Sequence, residues 1–194
     1  MNGSYRVNEI FYSLQGEGMW TGTPMVFVRL SGCNLQCPFC DTNHKEGSLM
    51  TAARIVEEAL AAGGECRRIC LTGGEPTLQA DKTLLDAFHA AGFLVHLETN
   101  GTRPIPEGID WVTLSPKEDF VPDGKVVISR ADELKLVYTH EVDPERWLSF
   151  PAQWHLLQPC DSNGHMNMTE TVAYIQAHPQ WRLSLQTHKL LGVR

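Results

Sequence analysis

Three cysteines, Cys33, Cys37 and Cys40, stand in the run Cys33-Asn-Leu-Gln-Cys37-Pro-Phe-Cys40. Thiolates this close in sequence can reach one metal centre together. A closed structural zinc site takes four ligands, and no fourth Cys or His stands at a matching spacing, although His44 lies shortly beyond Cys40. Three ligands leave a position open. On a four-iron cluster that is one iron without a protein ligand, where a substrate or cosubstrate can bind and accept an electron. A second polar run, Gly73-Gly74-Glu75-Pro76, follows a later apolar stretch. A carboxylate held between Gly74 and Pro76 more often supports backbone or function than it faces water.

The elements that must position these residues alternate between strand-like and helical patterns. Pro24 to Leu30 reads as an apolar strand ending just before the cysteine loop. Thr51 can cap a helix whose stripe is Ala52, Ile55, Val56, Ala59 and Leu60, closed by Gly63-Gly64. Arg68 to Thr72 is a second strand, Leu84 to Ala91 a helix stopped by Gly92, and Phe93 to Glu98 a third strand. Apolar runs at Trp111 to Leu114, Leu134 to Val137, Trp154 to Leu157 and Trp181 to Leu185 extend the series, with a helix at Met168 to Ala177.

This spacing predicts βαβ units with parallel pairing. Eight full units need roughly 200 to 250 residues. An α/β fold in the form of a partial, trimmed TIM-like barrel with mainly parallel strands therefore fits the chain, as a single domain over 1–194. The polar motifs fall just after the strands, on the edge where parallel α/β folds build active sites.

Composition narrows the function classes. Hydrophobic residues make up 42% and charged residues 20%, a globular balance, and no apolar run approaches the length of a membrane helix. The N-terminus shows no export signal, so a cytoplasmic location with reduced cysteines is expected. A net charge of -7 argues against a nucleic-acid partner and for small-molecule chemistry.

The cysteine spacing after the first strand, followed by Gly73-Gly74-Glu75-Pro76 after the second, resembles the radical SAM superfamily. That resemblance implies a [4Fe-4S] cluster on Cys33, Cys37 and Cys40. Its open iron would chelate S-adenosylmethionine, whose reductive cleavage yields a 5'-deoxyadenosyl radical. Further runs narrow the likeness: Phe11-Tyr-Ser-Leu-Gln-Gly-Glu-Gly18, Arg29-Leu-Ser-Gly-Cys-Asn34, Cys40-Asp-Thr42, Glu98-Thr-Asn-Gly101, Ser115-Pro-Lys117 and Leu185-Gln-Thr-His-Lys189. Over nearly the whole chain they are similar to the 7-carboxy-7-deazaguanine synthases. These contract 6-carboxy-5,6,7,8-tetrahydropterin to 7-carboxy-7-deazaguanine with loss of ammonia, on the way to queuosine and other deazapurines.

Position by position, the resemblance implies that Leu14, Gln15, Gly16, Arg29 and Thr72 hold the pterin, with the Arg29 guanidinium paired to the pterin's carboxylate. Phe39, Cys40, Asp41, Gly74, Ser115, Pro116, Lys117, Gln158, Pro159, Cys160 and Asp161 would line the S-adenosylmethionine site. Thr42 matches a Mg2+ ligand, and Arg194 matches a position whose terminal carboxylate contacts substrate. The family also implies a homodimer, with exposed tryptophans as anchors, and an electron donor of flavodoxin-like or similar type. No membrane partner is expected.

Other residues read more plainly. Cys70, in an apolar strand, is a buried small hydrophobe, and neither it nor Cys66 is given a role. Lys117 and His188, past strand ends, belong to a pocket more often than to open surface. His89 and His178 read as exposed helix positions, Arg130 and Asp132 as a solvated turn, and the five tryptophans as core or interface anchors. Two rivals remain: a radical-generating activase acting on a protein, and a non-catalytic iron-sulfur module. The Gln15 to Gly18 and Gln186 to Lys189 runs disfavour the activase. The module predicts metal uptake without S-adenosylmethionine binding.

Overall fold

The computed structural model describes residues 3–162 and 164–194. Met1 and Asn2, which begin the stretch read as lacking an export signal, lie outside the described residues, as does Asn163. In chain order the elements are β1 (Ser4–Leu14), β2 (Pro24–Leu30), β3 (Ser48–Thr51), α1 (Ala52–Gly63), β4 (Arg68–Gly73), α2 (Lys82–Ala90) and β5 (Leu94–Thr99). Then come β6 (Trp111–Leu114), β7 (Ala131–Tyr138), β8 (Ala152–Pro159), β9 (Asp161–Ser162), β10 (His165–Met166), α3 (Met168–Ala177), β11 (Arg182–Leu183) and α4 (Thr187–Leu191).

One sheet runs in the order β11-β8-β7-β6-β5-β4-β2-β1-β3. From β2 to β11 every neighbouring pair is parallel, whereas β1 pairs antiparallel with both β2 and β3. The end strands β3 and β11 do not meet, so the fold is the partial, mainly parallel barrel that the spacing predicts.

The two faces differ because strand side chains alternate. Val28 and Leu30 of β2, Ile69 and Leu71 of β4, and Val95 and Leu97 of β5 are buried beneath Ile55 and Ala59 of α1 and Leu84, Leu85 and Phe88 of α2. Each fully buried Leu or Ile contributes about 1.5–3 kcal/mol by leaving water. Further round, Leu114, Leu134, Leu136 and Leu157 pack with Trp147 and Trp181. The intervening residues, Phe27, Arg29, Cys70, Thr72, Glu98 and Lys135 among them, line the concave side.

Helix α1 has the bounds its stripe predicts, with the Thr51 side chain accepting from Arg54 N and Gly64 ending it. Helix α2 begins earlier than Leu84, because Asp81 caps it by accepting from Leu84 N at 3.0 Å. Crossovers from β5 to β6 and from β6 to β7 carry no α-helix, which is how the barrel is trimmed. Strands β7 and β8 outrun their apolar cores, since inward polar residues such as Glu133 and Gln158 belong to them.

Asp132 is not in a solvated turn. It lies in β7 and accepts from Val112 N at 2.7 Å, stitching β6 to β7. His178 sits just past α3, half-buried and stacked on Tyr174. No tryptophan is exposed: Trp147 and Trp181 are buried and Trp20, Trp111 and Trp154 half-buried, so the expectation of exposed tryptophan anchors fails. Among the described residues, no helix is long and apolar enough to cross a membrane.

Candidate active site

At the carboxyl ends of the strands the concave face encloses a cavity of about 330 Å³. The cysteine loop forms one wall. Gly32 N donates to His44 O at 2.7 Å, pinning the loop's two ends together, and Cys40 N donates to Cys37 O at 3.2 Å. All three thiols are free and line the cavity, Cys33 and Cys37 half-buried and Cys40 exposed. Burial pushes the Cys33 and Cys37 thiols up, so thiolate there calls for a metal to stabilise it. Among the described residues, no three His, Cys, Asp or Glu side chains converge on a single-ion position. Cluster thiolates bind separate irons and do not need to. The residues present therefore suit an iron-sulfur cluster with one iron left to another ligand.

The glycine pair fits against this loop. A Cβ on Gly74 would collide with Gly32 O and stand 2.7 Å from Cys33 Cβ, so only glycine lets the chain leaving β4 pass this close to the first cysteine. Glu75 secures the contact from below. Only 1% exposed, it accepts from Thr77 N and Thr77 Oγ1, from Thr99 Oγ1 at 2.9 Å and from Asn100 N at 2.8 Å. Asn100 Nδ2 in turn donates to Asn34 Oδ1 in the cysteine loop at 3.2 Å. Glu75 is thus a structural carboxylate joining two strand ends to the loop. Glu75→Ala strands these buried donors and is expected to cost about 3 kcal/mol in chemical denaturation, with Glu75→Gln losing less. Equal stability of Glu75→Ala and wild type would contradict that role.

The floor carries charge. Lys135, 4% exposed, donates to Glu17 at 2.6 Å and to Glu98 at 2.9 Å. Gln15 Nε2 donates to Glu98 at 3.3 Å and Gln186 Nε2 to Glu17 at 2.9 Å. Burial raises Glu17, but Lys135 and the hydrogen bonds from Lys135 and Gln186 outweigh it and hold the carboxyl down at about 2. Glu98 is raised by burial that Lys135 only partly offsets. Burial pulls Lys135 down, yet Glu17, Glu98 and Glu133 outweigh it and drive its ammonium well above the usual range. Lys117 donates to Ser115 O and Ser115 Oγ, and burial pulls it down to about 8. On the mouth side, Lys189 pairs with Asp41 at 2.9 Å and Asp161 at 3.1 Å, and Phe11 stacks on Phe27.

Behind this floor, Glu133 accepts from Met19 N at 2.8 Å and burial pushes it up to about 7. A folded-state value above the ordinary 4.5 means that the folded protein holds this proton more tightly. The resulting stability is full below about 4.5 and is lost as pH rises through about 7, on the order of 3 kcal/mol. His96, pulled down from 6.5 to about 4 by burial and the Arg68 charge, acts with opposite sign, losing stability as pH falls. Comparing wild type with Glu133→Gln isolates the glutamate: the variant's advantage is expected to grow from pH 5 to pH 8. A constant difference between the two melting curves would refute the assignment.

Of the residues singled out for substrate, Leu14, Gln15, Gly16, Arg29, Thr72 and Arg194 all line this cavity, as does Thr42. So do Phe39, Cys40, Asp41, Gly74, Ser115, Lys117, Gln158, Pro159, Cys160 and Asp161. Pro116 does not; it is buried behind its two neighbours. Gly16 is needed because His188 lies over it, a Cβ there standing 2.7 Å from His188 Cγ. The sequence reading gave no role to Glu17, Glu98, Lys135 or Asn100. For Glu98 and Lys135 the signal is the period of two, which puts them on the face opposite the apolar residues of their strands, whereas Glu17 and Asn100 lie beyond strand ends.

The sequence pattern of the Radical SAM superfamily matches residues 27–117. The chain is 52% identical over 189 residues to the 7-carboxy-7-deazaguanine synthase of Bacteroides thetaiotaomicron, covering 97% of this chain and 98% of that one. This chain belongs to the 7-carboxy-7-deazaguanine synthase family. Identity to the synthase of Nitratidesulfovibrio vulgaris is 44%, over 98% of this chain and 99% of the relative. The crystal structure of QueE from Escherichia coli matches with a TM-score of 0.73 at 27% identity, covering 94% of this chain and 93% of that one. The protein is therefore a radical SAM enzyme, and the family implies the cluster and S-adenosylmethionine for which the loop's thiols are suited.

Proposed function

We propose that this enzyme converts 6-carboxy-5,6,7,8-tetrahydropterin to 7-carboxy-7-deazaguanine with loss of ammonia, in queuosine or related deazapurine biosynthesis. One observation carries the reading: the three thiols, the glycine pair, Arg29 and the charged floor all face one cavity. When bound, the cluster and S-adenosylmethionine supply hydrogen-atom abstraction. The chain's own groups bind and orient. Arg29 offers a cationic fork to the substrate carboxylate. Glu17, Glu98 and Gln15 offer acceptors and an amide to the ring's N–H groups, and Lys135 keeps carboxylate charge available in a buried place. Phe11 and Phe27 supply apolar wall that keeps water from side reactions.

Gly74, Ser115, Lys117 and Gln158 to Asp161 are read as the S-adenosylmethionine side of the cavity. Thr42 is read as the residue that would hold Mg2+, a hard cation suited to a hydroxyl and to substrate oxygens. The wider reading is a single domain over 1–194, working as a homodimer in the cytoplasm with a one-electron donor, and family precedent supports the dimer.

The decisive experiment is an anaerobic assay of reconstituted protein with S-adenosylmethionine, Mg2+, a strong reductant and 6-carboxytetrahydropterin, following 7-carboxy-7-deazaguanine by mass. Formation of that product is expected. Slow 5'-deoxyadenosine release with no deazaguanine would defeat the substrate assignment. Chelating Mg2+ is expected to lower the rate and restoring it to recover the rate, while a Thr42→Ala variant responds weakly to either.

A further inference from the structure

Strand β1 changes face part-way along. Tyr5 and Val7 are buried, 2% and 1% exposed, in the core shared with α1 and α2, yet Phe11 stacks on Phe27 inside the cavity. In a regular strand these odd-numbered positions would share one face. The pairing with β2 shows the cause. Val7 lies opposite Leu30 and Glu9 opposite Arg29, so two steps on β1 match one on β2. A bulge of this kind turns every later side chain to the other face. Without it Asn8 would face Arg29, and Glu9 would turn toward the apolar core, where an unpaired carboxylate is costly.

Turned inward, Glu9 Oε1 accepts from Arg29 Nε at 2.8 Å, and its other oxygen pairs with the Arg194 guanidinium. The Arg29 and Glu9 side chains are 21% and 27% exposed. Among the described residues, no protein group accepts from the two terminal nitrogens of Arg29. A guanidinium presents its donors in a fixed plane. With the Nε side held, the remaining edge is the one whose paired N–H groups fit a carboxylate in bidentate fashion. A group competing with substrate for Arg29 would sit on that edge, and Glu9 does not.

We propose that Glu9 is a positioning residue that clamps Arg29 through Nε, aiming its terminal fork at the carboxylate of the substrate. This rests on the pterin reading given above. Its effect falls on recognition of the carboxylate and not on the radical step, because Glu9 acts through Arg29.

Two pterins separate the possibilities. The affinities of reconstituted wild type, Glu9→Ala and Glu9→Gln for 6-carboxypterin and for unsubstituted pterin are read anaerobically from pterin fluorescence, and turnover of 6-carboxytetrahydropterin is followed alongside. Glu9→Ala is expected to weaken 6-carboxypterin about tenfold, the worth of one charge-assisted hydrogen bond, with unsubstituted pterin unchanged. Glu9→Gln should recover most of the loss, since its amide oxygen still accepts from Nε. In turnover, KM rises and kcat stays within about twofold, as loss of binding shared equally by ground and transition states requires. Should Glu9→Ala not fold, Glu9→Asp, too short to reach Nε, is expected to show the same selective loss.

Equal weakening of both pterins would make Glu9 a general support of the fold and overturn the proposal. Unchanged or tighter 6-carboxypterin binding would make it a competitor for Arg29 and overturn it too. Failure of the substrate reading looks different, since wild type itself would then neither bind 6-carboxypterin nor turn over its tetrahydro form.

Discussion

Replacing Cys33, Cys37 or Cys40 by Ala is expected to abolish product formation while leaving a folded protein. The loop they occupy lies outside the sheet, and none of the three is fully buried, so each loses little packing. What each variant is expected to lose is a cluster ligand. Reconstituted wild type should hold about four irons per chain with the broad visible absorption of a cluster. Each variant should fall well below that and release no 5'-deoxyadenosine. Cys66→Ala is the matched control: its half-buried thiol lies between α1 and β4, its Sγ donating to Pro24 O at 3.4 Å, outside the cavity lining. Iron binding and turnover should survive in it. Full iron content in a Cys37→Ala protein would show that the ligand set is misassigned.

Much of this cavity was legible from spacing because its parts are local. Three thiols in one loop, a glycine pair at a strand end and a capped helix between them are each written in a few consecutive residues. The cap at Thr51 and the stop at Gly64 came out where the stripe put them, because an N-cap and a glycine terminus act on their nearest neighbours. The antiparallel start was not legible. In β1 the bulge between Val7 and Glu9 breaks the period of two, so Ser4 to Leu14 shows no steady alternation. The charged floor escaped for another reason. Lys135 and Glu98 sit in strands whose apolar residues dominate any averaged reading, and their partners come from distant segments. Glu17 precedes Lys135 by 118 positions, and only the barrel's curvature brings the two together. Glu75 was readable as a residue with a role, but its partners Thr99 and Asn100 depend on how β4 and β5 end side by side.

Lys135→Met tests that floor most severely and is expected to destabilise the protein by about 3–5 kcal/mol, since it leaves Glu17 and Glu98 buried without their cation. For a chain of this length that is a fall on the order of 10 °C in Tm. The pH dependence separates charge from packing. Burial already raises Glu98 against the pull of Lys135, so removing Lys135 is expected to raise it further. Once it takes a proton, the missing cation matters less. The deficit of Lys135→Met should therefore be largest near pH 8 and shrink toward pH 5, whereas a packing defect would cost the same at both. A second substitution checks the partner: Glu98→Gln in the Lys135→Met background should restore part of the stability at pH 8, because a neutral amide needs no counter-charge. Activity should not return with it. The cavity would still lack the ammonium that holds Glu17 ionised, and that carboxylate's hydrogen bond to Gln186 alone cannot replace a cation 2.6 Å away. Stability and catalysis are thus expected to depend on the same lysine by different routes, one relieved by neutralising a carboxylate and the other not.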